Sequence, residues 1–184
     1  MIDLISRKAL PNTVLVGGKA FSVYTDFSIW MRFVNAYEKW DKKGELDISY
    51  LFKNELPVFH SIEDYAPVFE FAYPKNQIPR GEPSSERILD YEIDSDYIYA
   101  AFYQQYGIDL LEIKELHWHK FKALLNGLCE ETRLYEIMGH RSYTGEKIKS
   151  QEEIYRRLKE AWSLPEIETE EQKEVEDRFD DFFG

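Results

Sequence analysis

Residues 116 to 121, Leu-His-Trp-His-Lys-Phe, put two imidazoles on either side of an indole, His117-Trp118-His119. Imidazoles two positions apart serve metal binding or acid/base work when the backbone is a strand, because alternate side chains then share a face. A helix advances about 100° per residue and sends them about 200° apart, too far round to hold one ion together. The neighbours decide between the two: Leu116, Phe121, Leu124, Leu125 and Leu128 follow three- and four-residue spacing rather than alternation. The stretch therefore predicts a helix with His117 on its apolar side, between Leu124 and Leu128, and His119 projecting away from it.

Other candidates for chemistry are thinner. His60 and His140 stand far off in sequence, and no cysteine or aspartate accompanies them at zinc-ligand spacing, so no metal and no cofactor is expected. Cys129 has no nucleophile signature around it and reads as an incidental thiol. The neighbouring acids Glu130-Glu131 and Asp94-Ser95-Asp96 are expected to cap helices and hold water rather than to hydrolyse, since a chain with 35 acids places some side by side by chance. Gly17-Gly18-Lys19 lacks two parts of a phosphate loop: Thr13 stands where the first glycine belongs, and Ala20 where a hydroxyl belongs. No catalytic set emerges, and a non-enzymatic role is expected.

Whatever these residues do, something must hold them, and 184 residues suffice for one domain with its own core. A hydrophobic share of 43% with 16% aromatics is too rich for a disordered chain. No run of about eighteen apolar residues occurs, and the first residues lack the apolar core of a signal peptide, so a soluble, intracellular protein without membrane contact is expected. A single cysteine agrees with a reducing compartment. The net charge of -12 argues against nucleic acid, whose affinity comes from basic groups displacing counterions.

Along the chain, Thr13 to Tyr24 predicts a β-hairpin around Gly17-Gly18. A helix capped by Thr25 or Asp26 and running to Gly44 follows, then a short helix over 46–56 stopped by Pro57, then one started by Ser61-Ile62-Glu63-Asp64. Three prolines and a glycine near 74–85 predict an exposed connection. Beyond it come a helix capped by Asp94 or Ser95 and ended by Gly107, the helix containing Leu116 to Phe121 and stopping near Gly127, a helix over 131–139, and a last one opened by Ser150 and Glu153 as a capping box. The sum is a mainly α fold of about seven helices with an N-terminal β-hairpin over 1–165. An acidic segment, 166–184, carries nine acids and two bases. Within it Val175, Phe179 and Phe182 would align on one face of a helix and serve self-association or docking. Tyr97, Tyr99, Phe102, Tyr103 and Tyr106 crowd one helix on more than one face, which fits burial on two sides or a surface kept for a partner.

Taken in order, three stretches carry a family resemblance: the Gly-Gly hairpin leading into Thr25-Asp26-Phe27-Ser28-Ile29-Trp30, the run from Asp94 through Tyr97 and Tyr106 to Asp109, and Leu116 through Trp118 and Phe121 to Leu128. Together they resemble the bacteriophage gene-product-fifteen family of phages that infect Gram-positive bacteria, over most of the chain up to about Trp162. Where that family often has a second aromatic after the Leu-His-Trp stretch, this chain has His119. The resemblance implies a tail assembly chaperone, encoded just ahead of the tape measure protein, that binds and solubilises that protein until the tail tube forms around it. It implies the tape measure protein as partner, a second tail assembly chaperone as a further one, a homo-oligomer, and residence in the host bacterial cytoplasm rather than in the mature virion. Tyr99, Tyr103, His117, Trp118 and Phe121 are the expected tape-measure contacts. A structural tail completion or connector protein is the alternative, and a small metal-dependent hydrolase using His117, His119 and His140 stands behind it.

Overall fold

Gly17 and Gly18 adopt φ of 57° and 79°, the left-handed values that a two-residue turn of type I′ demands at both central positions. They close a hairpin of β1 (Thr13–Val16) and β2 (Lys19–Ser22), with Val16 opposite Lys19 and Thr13 opposite Ser22. Nothing lies within 4 Å of where a Cβ would sit on either glycine, so conformation rather than space selects them. The computed structural model describes residues 2–40, 46–74, 86–145 and 149–167. Among them the chain is mainly α, with six α-helices and this hairpin.

Helix α1 (Phe27–Glu38) begins where the Asp26 carboxylate accepts the Ser28 N–H at 3.1 Å. Helix α2 (Ala66–Ala72) follows a 3-10 turn, Ile62–Tyr65, whose Asp64 carboxylate accepts the N–H groups of His60 and Ser61. Helix α3 (Ser95–Tyr106) stops at Gly107, φ 64°, a left-handed residue past the last turn. Helices α4 (Trp118–Asn126), α5 (Arg133–Arg141, capped by Thr132) and α6 (Lys149–Trp162) complete the chain.

Three sequence expectations change. The helix expected over 46–56 is only a 3-10 turn, Ser49–Leu51. Beyond it the backbone pairs with the hairpin, Tyr24 N–H to Leu51 O at 2.9 Å and Lys53 N–H to Ser22 O at 3.0 Å, which commits to a strand neighbour the groups a helix would use internally. Helix α1 ends at Glu38, well before Gly44. Helix α6 already includes Lys149, so Ser150 sits inside its first turn rather than ahead of it. The connection over 75–85 and the stretch 168–184, with Val175, Phe179 and Phe182, lie outside the described residues.

The core is built from rings. Phe121 stacks on Phe102 and Phe27 with centroids 4.9 and 5.0 Å apart, and Trp30 stacks on Phe71 at 4.3 Å. The two fully buried indoles need acceptors. Trp30 donates to Tyr24 O at 2.6 Å and Trp118 to Ala72 O at 2.8 Å. Helix α4 thereby touches α1 and α3 through its rings and the end of α2 through its indole.

A buried ion pair ties the second half together. Arg141 is 6% exposed and Asp94 0%, and they meet bidentately, Nη1 to Oδ2 at 2.6 Å and Nη2 to Oδ1 at 2.9 Å. Arg141 also donates to Ile88 O at 3.1 Å and to Trp162 O at 2.6 Å, while Asp94 accepts the Asp90 N–H at 2.9 Å. Asp94 does hold the N-cap position of α3, but its side chain makes no capping bond, which corrects the expected capping role. Asp90 is fully buried beside it. Burial works to raise the Asp90 pKa, yet the N–H groups of Ile93 and Glu92, with Lys39 and Arg87, outweigh it and hold the carboxyl below its usual range. Replacing Arg141 by Leu leaves Asp94 buried without its cation, and a loss of about 3–5 kcal/mol is expected. A lowered urea midpoint and faster amide exchange along α6 than along α1 would register it.

Candidate partner-binding site

The backbone of Leu116 and His117 is extended, not helical, because it is bonded to the segment before α1. Trp118 N–H reaches Thr25 O at 2.7 Å, Phe27 N–H reaches Leu116 O at 2.9 Å, and Leu116 N–H reaches the Asp26 carboxylate at 3.2 Å. His117 is consequently the N-cap of α4, its Nδ1 accepting the His119 N–H at 3.0 Å. With Nδ1 occupied as an acceptor, the ring proton sits on Nε2 and is donated to Pro11 O at 2.9 Å. His119 meets Phe71 O through Nε2 at 2.9 Å, so that nitrogen too carries the proton, and its Nδ1 is buried without a partner.

The sequence expectation for these two residues is reversed. His119 is 5% exposed and packs on Phe71 with ring centroids 4.7 Å apart, while His117 is half-buried at the helix entry. Nor are they on opposite sides: their rings lie 5.1 Å apart, because only one of them is inside the helix. Both nitrogens of His117 are spent on backbone groups, and among the described residues no group of three or more His, Cys, Asp or Glu converges to hold a metal ion. Burial pushes the His119 pKa down to about 4, against a smaller opposing pull from the Phe71 carbonyl. Burial also lowers that of His117.

Two concavities border this framework. An open groove of about 490 Å³ separates the β1 side, Pro11, Thr13, Val14 and Leu15, from the α2 side, Pro67, Glu70, Phe71 and Pro74, with His119 also lining it. A second cleft of about 360 Å³ is lined by Glu38, Tyr73, Arg87, Tyr91 and Lys122 among others. There burial raises the Glu38 carboxyl, one of whose oxygens has no hydrogen-bond partner, and raises the Tyr73 and Tyr91 hydroxyls as well.

Of the expected contact residues, Tyr99 and Tyr103 are together at the surface of α3, stacked with centroids 6.1 Å apart, and Tyr103 is 58% exposed. The Tyr99 hydroxyl donates to Asp109 at 3.2 Å; burial first, then that carboxylate, pushes its pKa up. Trp118 and Phe121 do not join them. Both are fully buried in the ring stack, so in this fold they pack the core rather than face a partner. Cys129 is exposed.

A protein family described as Bacteriophage Gp15 protein matches residues 42–164. This chain belongs to the Gp15 family. It is a structural or assembly protein of a bacteriophage. No curated protein and no solved structure matches it. The match spans α2 through α6 of this Gp15 protein, including Asp94, Arg141 and the His117–His119 pair, while the hairpin and α1 lie ahead of it. Among the described residues, no helix of the Gp15 protein is long and apolar enough to cross a membrane.

Sequence reasoning missed the Asp94–Arg141 pair and the bonds from both histidines to Pro11 and Phe71. Nothing local marks partners 47 or 106 positions apart. One signal was present: a charged residue among helical apolar positions, Arg141 four beyond Ile137, whose side chain must either leave the core or find an acid there.

The His119 geometry makes folding pH-dependent. Its folded pKa of about 4 lies below the ordinary 6.5, so between these values the unfolded chain binds a proton that the folded chain refuses. Stability from this group is complete above pH 6.5 and is lost as the pH falls from 6.5 towards 4. The whole shift corresponds to roughly 3 kcal/mol. Thermal melting between pH 7 and pH 4 should show the slope, and His119→Gln, which keeps an N–H for Phe71 O but cannot titrate, should flatten it.

Proposed function

We propose that this phage protein is a non-enzymatic tail assembly chaperone that binds the tape measure protein and keeps it soluble during tail assembly. The observation that carries this reading is the Gp15 family match over residues 42–164, joined to the implied position of that family's genes ahead of the tape measure gene. The surface of α3 supports it physically. A pair of stacked tyrosines, one of them largely exposed, offers rigid amphipathic area at low entropic cost, of the kind that interfaces favour. Leu111, 84% exposed just beyond α3, extends the apolar character of that side of the sequence.

Under this reading the protein acts in the host bacterial cytoplasm, leaves before the virion matures, self-associates through Val175, Phe179 and Phe182, and shares its client with a second tail assembly chaperone. A net charge of -12 keeps such a protein soluble while it covers an apolar client. Co-expression with the tape measure protein is the test. Tyr99→Ala with Tyr103→Ala should lower the soluble tape measure fraction severalfold, and Tyr103→Ala alone, which leaves the Tyr99–Asp109 bond in place, should lower it without changing the chaperone's own melting temperature. Truncation after Pro165 should lower its oligomeric state. Soluble tape measure protein unaffected by the tyrosine pair, or the protein itself recovered in purified virions, would turn the reading towards a structural tail component.

A further inference from the structure

Beyond α3 the chain turns back on itself. Gly107 N–H bonds to Tyr103 O at 3.0 Å and Ile108 N–H to Phe102 O at 3.4 Å, and the left-handed Gly107 reverses the backbone so that Asp109 returns beside Tyr99. There the Asp109 carboxylate works on two sides. One oxygen, Oδ2, accepts the Tyr99 hydroxyl at 3.2 Å. The other, Oδ1, accepts the Leu111 N–H at 3.0 Å and the Glu112 N–H at 3.3 Å, and Ile113 N–H closes the turn on Asp109 O at 3.0 Å.

The turn so made is anchored by apolar side chains. Ile108, Leu110 and Ile113 are half-buried and pack against the core, whereas Leu111 between them stands in solvent. A single exposed leucine is ordinary on a protein surface. This one is carried by a fixed turn, and its N–H shares a carboxylate with Tyr99, which in turn stacks on exposed Tyr103. Groups already fixed in this way lose little freedom when a partner arrives. We infer, on the chaperone reading above, that Asp109 is a positioning residue joining Tyr99, Tyr103 and Leu111 into one preformed contact surface, and that Leu111 meets apolar side chains of the tape measure protein there.

Asp109 acts through its neighbours rather than on the partner. It is half-buried, and both oxygens are engaged by donors of this chain. Substitutions separate the parts of this arrangement. Asp109→Asn still accepts the Leu111 and Glu112 N–H groups through Oδ1, and its amide donates to the Tyr99 hydroxyl oxygen instead of accepting from it. Asp109→Ala does neither. Tyr99→Phe keeps the ring and the turn and removes only the bond between them.

The test pairs amide exchange of the free, full chain with co-expression of the tape measure protein. The Leu111 and Glu112 amides should be protected in the native chain, should exchange about fivefold faster in Asp109→Ala, and should recover in Asp109→Asn. Leu111→Ala, which trims a side chain already in solvent, should leave the melting temperature unchanged and lower the soluble tape measure fraction severalfold. Asp109→Ala should lower that fraction likewise, and Asp109→Asn should restore it. Should Asp109→Ala melt early, Tyr99→Phe and Leu111→Ala carry the test, since both leave the acceptor of the turn in place. An effect of Tyr103→Ala beside no effect of Leu111→Ala would overturn this inference and leave the chaperone reading standing. No effect of either would overturn both. Unprotected Leu111 and Glu112 amides in the native chain, or Asp109→Asn failing to restore what Asp109→Ala removes, would deny Asp109 the positioning role.

Discussion

Removing a guanidinium and a carboxylate from water costs several kcal/mol each, and the fold recovers that cost only because Arg141 and Asp94 leave so little unsatisfied. The bidentate contact uses two of the five N–H donors of Arg141, and two more go to carbonyls from separate parts of the chain. The pair thus fastens four pieces at one point: the start of α3, the end of α5, the segment entering at Ile88, and the end of α6. Helix α6 depends on it most. None of its described side chains is buried; it is held along α5, with Tyr155 stacked on Tyr143, and at its end, with Trp162 against Tyr97 and Arg133 and Lys159 on Tyr143 O. Propensity alone does not keep a helix of 14 residues in water, so this docking decides whether it persists.

The first half is organised differently, by rings and by backbone shared between distant segments. The residues before α1 and before α4 bond to each other as a single bridge, Asp26 with His117, so the two helices start side by side. Phe27 and Phe121, each near the start of its helix, then stack, and Phe102 from α3 covers the other partner in the stack. Polar ties and ring stacking reinforce one another here, since each buried indole or imidazole that fills space also supplies an N–H to a carbonyl at a helix or strand end.

How much of this the sequence disclosed depends on the range of the interaction involved. The hairpin was legible because only glycine accepts positive φ twice running without cost, and the stop of α3 was legible for the same reason at Gly107. The Asp26 cap, two residues ahead of the Ser28 N–H, and the Asp64 carboxylate reaching back to the Ser61 and His60 N–H groups were legible because both act within four residues. His117 was misplaced because the apolar spacing of Leu116, Phe121 and Leu125 continues one turn past where the helix begins. The strand-like bridge to Asp26, 91 residues earlier, overrides that periodicity and carries His119 inward. Trp118 and Phe121 were expected as tape-measure contacts and lie in the core instead, because an aromatic on a helix face does not announce whether its cover is this chain or another. The C-terminal apolar stripe lies outside the described residues, and its packing is not part of the fold described.

The last carbonyls of a helix ordinarily lack partners, and in α2 two of them, Phe71 O and Ala72 O, are taken by side chains from the first turn of α4. Helix α2, seven residues long, is therefore welded to the core through its C-terminal end. The groove wall it forms cannot shift without breaking bonds to buried Trp118 and His119. A surface held in this way arrives at an encounter already shaped. A molecule meeting such a wall would give up its own freedom without having to order the protein.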